Sequence, residues 1–255
     1  MNLPLLLEFT KRDLVEKYSG SILGMLWTFL WPLVTIFIYV VIFSNIMGSK
    51  LPGSSSAMSY SIYLVAGILP WTAFANTISR SAIVFSEKKA IISKIKISLP
   101  YLPLYIVLSE TVVFIISVVI YLGFVLGSSS PVFAWIIFVP WIYLSHQVFA
   151  YALGFLIAIF QVFIRDLREV TGIVLQIWFW FTPIVYTTDI LPKGVKEWFA
   201  YNPAWIFIKA YHDIFVFGKI PDFYNLMIIT AIGHGLLIIS YLLYRKLEKG
   251  IRDVI

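Results

Sequence analysis

Cysteine is absent from all 255 residues. That excludes disulfides, thiolate metal sites and cysteine nucleophiles, and says nothing about compartment. Charge is scarce: 13% of residues are Asp, Glu, Lys or Arg, against 60% apolar, so an ordinary soluble domain is excluded. No G-x-x-x-x-G-K-[ST] phosphate loop is present, so any ATP must be hydrolysed by a partner. His146, His212 and His234 lie in separate segments without an H-E-x-x-H pairing, and read as satisfied or interfacial side chains rather than metal ligands. There is no G-x-S-x-G nucleophile context for an intramembrane protease. The first apolar run is too long for a signal-peptide core and lacks a small-x-small cleavage site.

What is present is long, continuous, uncharged apolar blocks. A span needs roughly 20 apolar residues to cross about 30 Å of hydrocarbon. The blocks predict an all-α membrane protein with six transmembrane helices over residues 22–47, 60–85, 102–126, 133–163, 170–188 and 224–244. A transmembrane barrel would show alternation over about ten residues instead. Pro32 lies within the first span and Gly67 and Pro70 within the second. Fourteen of the nineteen Lys and Arg fall on the side that carries both termini. The positive-inside bias therefore predicts a multi-pass protein with cytosolic N- and C-termini. The net charge of +6 comes from these flanking bases and calls for anionic lipid rather than nucleic acid.

The chain is organised around Glu8 to Pro32, where a charged segment meets an apolar one at Ser19-Gly20-Ser21. Leu3, Leu7, Leu14 and Tyr18 form an apolar stripe with Thr10 between them, so residues 1–20 read as an amphipathic helix on the membrane surface. Glu8–Arg12 and Asp13–Lys17 are spaced as i,i+4 pairs with the acid first. A second amphipathic helix is predicted over 87–100, with Ile91, Ile92, Ile95 and Leu99 on one face and Lys88, Lys89 and Lys96 largely off it. Two such helices on one side read either as anchors or as a docking surface for a cytosolic protein. Between the last two spans, residues 189–223 are too polar to span and too apolar for a free loop, which predicts short helices dipping into the outer leaflet.

Glu110 is the one acid in the third span. An intramembrane acid costs roughly 2.5–3.5 kcal/mol on insertion scales, so it marks either an ion site or a hydrogen-bonded side chain facing the bundle. No second intramembrane charge is apparent to complete a relay. The 45 aromatics exceed what two interfacial belts need. Trp27, Trp31, Phe37 and Tyr39, with Trp178 and Phe181, could line a path whose flat faces suit sugar rings; belts and packing explain them equally.

The run Arg12-Asp13 … Tyr18 … Leu23-Gly24-Met25-Leu26-Trp27 … Trp31-Pro32 resembles the N-terminal signature of type-2 ABC exporter permeases, most closely the subgroup exporting O-antigen and other cell-surface polysaccharides. Lys94 to Pro103, Phe163 to Leu167 (FIRDL), Thr182 to Tyr186 (TPIVY) and Asn202-Pro203 follow in the family's order. The family often carries an arginine after Asn-Pro where this chain reads Ala210-Tyr211-His212-Asp213, so that arginine's role does not transfer.

The resemblance implies a single transmembrane domain, residues 1–255, acting as a homodimer with two copies of a separate ATPase subunit, in the inner membrane. No cofactor is expected on this chain; ATP and Mg belong to the partner. It implies an interface helix before the first span and a coupling helix at 87–100, with Lys11, Arg12, Asp13, Glu87, Lys88, Lys89 and Lys94 in contact with the ATPase. It implies a gate over 189–223, to which Tyr186, Asn202, Pro203, Tyr211 and His212 are assigned. The expected substrate is a lipid-linked O-antigen or related polysaccharide. Exporters of teichoic acid, drugs or lipids would share these motifs. Ion-coupled carriers, the class that a reading built on Glu110 would give, often show internal repeats, and a membrane transferase would need an acid cluster; neither is evident.

Overall fold

A computed structural model describes residues 3–17, 19–42, 51, 58–94, 97–126 and 135–254. The described residues form ten α-helices and no strand: α1 (Leu3–Glu16), α2 (Trp27–Val40), α3 (Met58–Glu87), α4 (Lys89–Ile92), α5 (Tyr101–Leu126), α6 (Val139–Gln161), α7 (Leu167–Trp180), α8 (Lys193–Phe199), α9 (Pro203–Phe215) and α10 (Phe223–Val254). Four stretches are long and apolar enough to cross a membrane: Met58–Glu87, Tyr101–Leu126, Ile136–Gln161 and Phe223–Val254. Tyr18, Ile95, Lys96, the end of the first expected span, the loop that follows it and the turn from Gly127 lie outside the described residues.

The centre is α3. Every residue from Ser61 to Trp71 is buried, as expected of a helix apolar on all sides, and α2, α5, α6, α7 and α9 all pack on it. Its contact with α6 is the tightest. A Cβ added at Gly154 would lie 2.7 Å from Ser81 Cβ and 3.3 Å from Ile78 Cα, so the backbones meet where one side chain is missing. Gly154→Ala is expected to push α6 off α3 and to cost about 1–3 kcal/mol. A lowered thermal midpoint of the detergent-solubilised protein would report it; an unchanged midpoint would contradict this packing.

Two expectations at the helix ends need correction. The span expected at 170–188 begins at Leu167 and stops at Trp180, 14 residues in all. At 1.5 Å per residue that is about 21 Å, short of the hydrocarbon thickness. Pro183 explains the stop, because it lacks an N–H and disfavours helical geometry in the residue before it. The coupling helix expected at 87–100 is a single turn, α4, of four residues. Ile92, Ile97 and Leu99 bury their side chains without a continuous helix between them. Tail residues 245–254, by contrast, continue α10 as helix.

The bundle has two distinct ends. At one, the basic end, lie α1, α4, the start of α5 and the end of α10, tied by Lys88 Nζ to Glu16 at 3.6 Å and by Arg252 Nη2 donating to the Ile97 carbonyl at 2.7 Å. At the other lie the start of α3, the end of α5 and the α7–α9 region, tied by Tyr121 Oη donating to Ile62 O at 3.2 Å and Trp135 Nε1 to Gly218 O at 3.2 Å.

Candidate functional site

The chain entering the bundle turns at Gly20, whose φ of +82° is a left-handed conformation that favours glycine. The elbow expected at Ser19-Gly20-Ser21 is therefore there, and it sets α1 beside the basic ends of α3 and α5. The face of α1 that packs on the bundle is Leu6 and Thr10, while Leu3 and Leu7 are exposed, so the expected Leu3–Leu7–Leu14 stripe is not the buried one. The physical reason is that this face also presents Asp13 and Lys17, which have strong partners inside.

Those partners form a four-charge joint. Arg80 of α3 donates through Nη1 to Glu110 Oε1 of α5 at 2.6 Å and through Nη2 to Asp13 Oδ1 of α1. Ser109 Oγ donates to the other oxygen of Asp13. Glu110 also receives Lys17 Nζ at 3.4 Å and Asn76 Nδ2 at 3.1 Å. Its side chain is 1% exposed, Asp13's 12% and Arg80's 27%. Two acids and two bases balance, and each buried acid has several donors, which is the condition for tolerating buried charge. Two expectations fail here. Glu110 does have an intramembrane counterion, Arg80. Asp13 pairs with Arg80 rather than with Lys17. The Glu8–Arg12 pair does form, at 2.8 Å, and that hydrogen bond holds the Glu8 carboxyl below its ordinary range.

The remaining residues expected to meet an ATPase lie on the outside of this joint. Lys11 and Arg12 face away from the bundle and are exposed, as are Glu87, Lys89 and Lys94; Lys88 is half-buried and reaches Glu16. Next to the joint, a cleft of ≈ 420 Å³ between α2, α3 and α5 runs from Lys17 and Glu110 to Trp31, Leu69 and Phe114.

At the opposite end, Tyr186, Asn202, Pro203 and His212 of the residues expected at the gate lie around Asn202 and Tyr63, while Tyr211 packs elsewhere, against Phe114 and His146. Asn202 caps α9: its Oδ1 accepts from the backbone N–H of Ala204 at 3.1 Å and Trp205 at 3.4 Å, and from Trp178 Nε1 at 2.8 Å. Its Nδ2 donates to Phe181 O at 2.9 Å and Thr182 Oγ1 at 3.2 Å. Pro203 takes the first helical position, where its missing N–H costs nothing. The irregular stretch after α7 is held by Tyr63, whose one hydroxyl proton is shared between Pro183 O at 3.0 Å and Tyr186 O at 2.9 Å. Tyr60 donates to Val185 O, and Tyr186 Oη to Trp180 O at 2.7 Å. The Tyr63 ring stacks on His212 with centroids 3.8 Å apart. Tyr60 and Tyr63 carried no motif; a pair of tyrosines one turn apart at a span end reads as an interfacial belt.

His146 and His212 are buried with no hydrogen-bond partner for either ring nitrogen among the described residues, so they are not the satisfied side chains expected. His146 is sandwiched between Phe74 and Phe207, with centroids 4.6 and 4.5 Å away. His212 lies where a Cβ on Gly67 would come within 2.8 Å of its Nε2. Tyr211 is buried beside Phe114. No group of three or more metal-ligating side chains occurs among the described residues.

The aromatics expected along a path fall into separate groups, Trp27 with Trp31 on one side and Trp178 with Phe181 beside another pocket. Trp31 and Phe37 on α2 and Phe181 after α7 are exposed. Trp27 lies tilted against Trp31 and donates to Ser21 Oγ at 2.7 Å, and Tyr39 packs partly into the core. Trp178 is engaged edge-on by Trp71 and Phe74 and by its bond to Asn202, so it is a packing residue here.

Residues 4–216 match the family described as "ABC-2 type transporter". Over 254 residues the chain is 28% identical to a protein of Klebsiella pneumoniae called "O-antigen export system permease protein RfbA", covering 98% of this chain and 95% of that one. A protein of the same name from Myxococcus xanthus is 29% identical over 237 residues, covering 91% of this chain and 88% of its own.

Proposed function

The chain belongs to the ABC-2 type transporter family, and from that premise we propose that it is the membrane permease subunit of an ATP-driven exporter of lipid-linked O-antigen or a related polysaccharide. Its relatives' names and the near full-length similarity support the substrate. In this reading two copies form the pathway in the inner membrane, both termini are cytosolic, and two separate subunits bind ATP and Mg. The single observation that carries the coupling mechanism is the joint in which Arg80 bridges Asp13 of α1 and Glu110 of α5.

α1 then acts as a lever with two faces. Lys11 and Arg12 present charge to the ATPase, together with Glu87, Lys89 and Lys94, while Asp13 anchors the helix inward. Lys88 couples α4 to α1 through Glu16. A push on α1 passes through rigid ion pairs to α3, the helix on which most of the bundle packs, and through Glu110 to α5. At the far end of α3, Tyr60 and Tyr63 hold the segment after α7, so movement of α3 reaches the node at Tyr186, Asn202, Pro203 and His212. The exposed Trp31, Phe37 and Phe181 become path-lining only between two copies, and α8 and α9 would dip into the outer leaflet. Glu110, already holding three donors, is a structural member of the joint rather than a carrier's ion site.

Reconstitution into vesicles tests the proposal. Export of lipid-linked glycan should require this chain, its ATPase partner and ATP together. Export by this chain alone, or no association with the ATPase, would overturn it.

A further inference from the structure

On the flank where α5 and α10 diverge around α6 lies a groove of ≈ 590 Å³. Its lining follows an order along the helix axes. Tyr101, Tyr151 and Tyr241 stand together at the basic end, with Tyr151 Oη donating to Pro100 O at 2.8 Å. One turn deeper come Leu104, Gln147 and Ile238, and beyond them Val107 and Leu144. One turn outward from Tyr241 on the same stripe of α10 is Arg245, exposed and without an ion pair among the described residues.

Gln147 lies beneath the groove with its side chain turned toward α3. The residue is 1% exposed, and its Oε1 is held by Thr77 Oγ1 at 2.8 Å. Its Nε2 has no hydrogen-bond partner among the described residues.

We propose that this groove binds an anionic diacyl phospholipid of the leaflet at the basic end. The sequence of groups is that of such a lipid: a cation for the phosphate, tyrosines at the interface, then aliphatic wall for an acyl chain. Charge complementarity at Arg245 selects an anionic headgroup over a zwitterionic one. The inference depends only on the chain spanning a membrane, and not on what it exports.

Native mass spectrometry of the detergent-solubilised full chain tests it, with palmitoyl-oleoyl phosphatidylglycerol and the matching phosphatidylcholine as probes. Phosphatidylglycerol should bind about fivefold more tightly, the effect of one arginine at an anionic surface. Arg245→Ala should bring the two lipids to equal affinity. Ile238→Trp, at a position 61% exposed and tolerant of bulk, should fill the groove and weaken both lipids. An unchanged phosphatidylglycerol preference in Arg245→Ala, or full lipid binding by Ile238→Trp, would overturn the proposal. Tighter capture of a polyisoprenyl phosphate than of either phospholipid would also overturn it, in favour of a substrate site. In every arm, association with the ATPase should stay unchanged, which separates failure here from failure of the transport reading.

Discussion

Replacing Arg80 with methionine is expected to abolish ATP-driven export and to destabilise the bundle. Asp13 and Glu110 would keep Ser109, Asn76 and Lys17 as donors but lose the one group that bridges them. Removing one partner of a buried ion pair costs roughly 3–5 kcal/mol, because a charge is left uncompensated. With 27% of its side chain exposed, Arg80 belongs at the lower end, about 3 kcal/mol. Loss of stability alone could explain loss of export, so a second variant is needed. Combining Arg80→Met with Asp13→Asn and Glu110→Gln removes every uncompensated acid, and neutral replacements of buried ion networks are often near-neutral in stability. The triple variant should regain most of its thermal midpoint yet remain poor in export, because α1 is then held mainly by Leu6 and Thr10. If export returns along with stability, the cluster is a fold element and not a coupling joint.

Asn202→Ala is expected to have the other large effect. It removes the cap of α9, typically about 1 kcal/mol. It also strands the Trp178 indole N–H and two backbone or hydroxyl acceptors that Asn202 now satisfies. An unsatisfied buried group costs about 1–3 kcal/mol, so a total of about 3–4 kcal/mol follows, read as a drop in thermal midpoint. Asn202→Asp retains the acceptor functions toward Ala204, Trp205 and Trp178 but loses both donors, and should fall about midway. Equal midpoints for the Ala and Asp variants would show that the cap and the indole bond contribute little.

Long helices were legible because continuous apolar blocks need no tertiary knowledge. The expected 60–85 and 102–126 became Met58–Glu87 and Tyr101–Leu126. Motif residues were legible as positions but not as a site. Asn202, Pro203 and the Thr182 to Tyr186 run stand out through the family resemblance, yet the tyrosine that holds that run, Tyr63, looks in sequence like any interfacial aromatic. α1 misled in a different way. It has apolar residues on two sides, because it lies between the bundle and its surroundings, and local spacing favoured an Asp13–Lys17 pair. Arg80, 67 residues away, wins because a shared buried pair outweighs an exposed i,i+4 contact of a few tenths of a kcal/mol. The signal that could have found the joint was present: Arg80 and Glu110 are the only charges within 60–85 and 102–126. Of the segment at 87–100, the described helix after α3 runs only to Ile92, in a stretch that closes on Pro100.

The lever reading of α1 stands on the division between its inward Asp13 and its outward Lys11 and Arg12. The most direct measurement is the ratio of glycan exported to ATP hydrolysed in vesicles carrying the permease and its ATPase, with wild type compared against Lys11→Glu combined with Arg12→Glu. Both side chains are exposed, so insertion and folding should be unaffected. The lever predicts that ATP hydrolysis continues while export per ATP collapses. An unchanged ratio would contradict it.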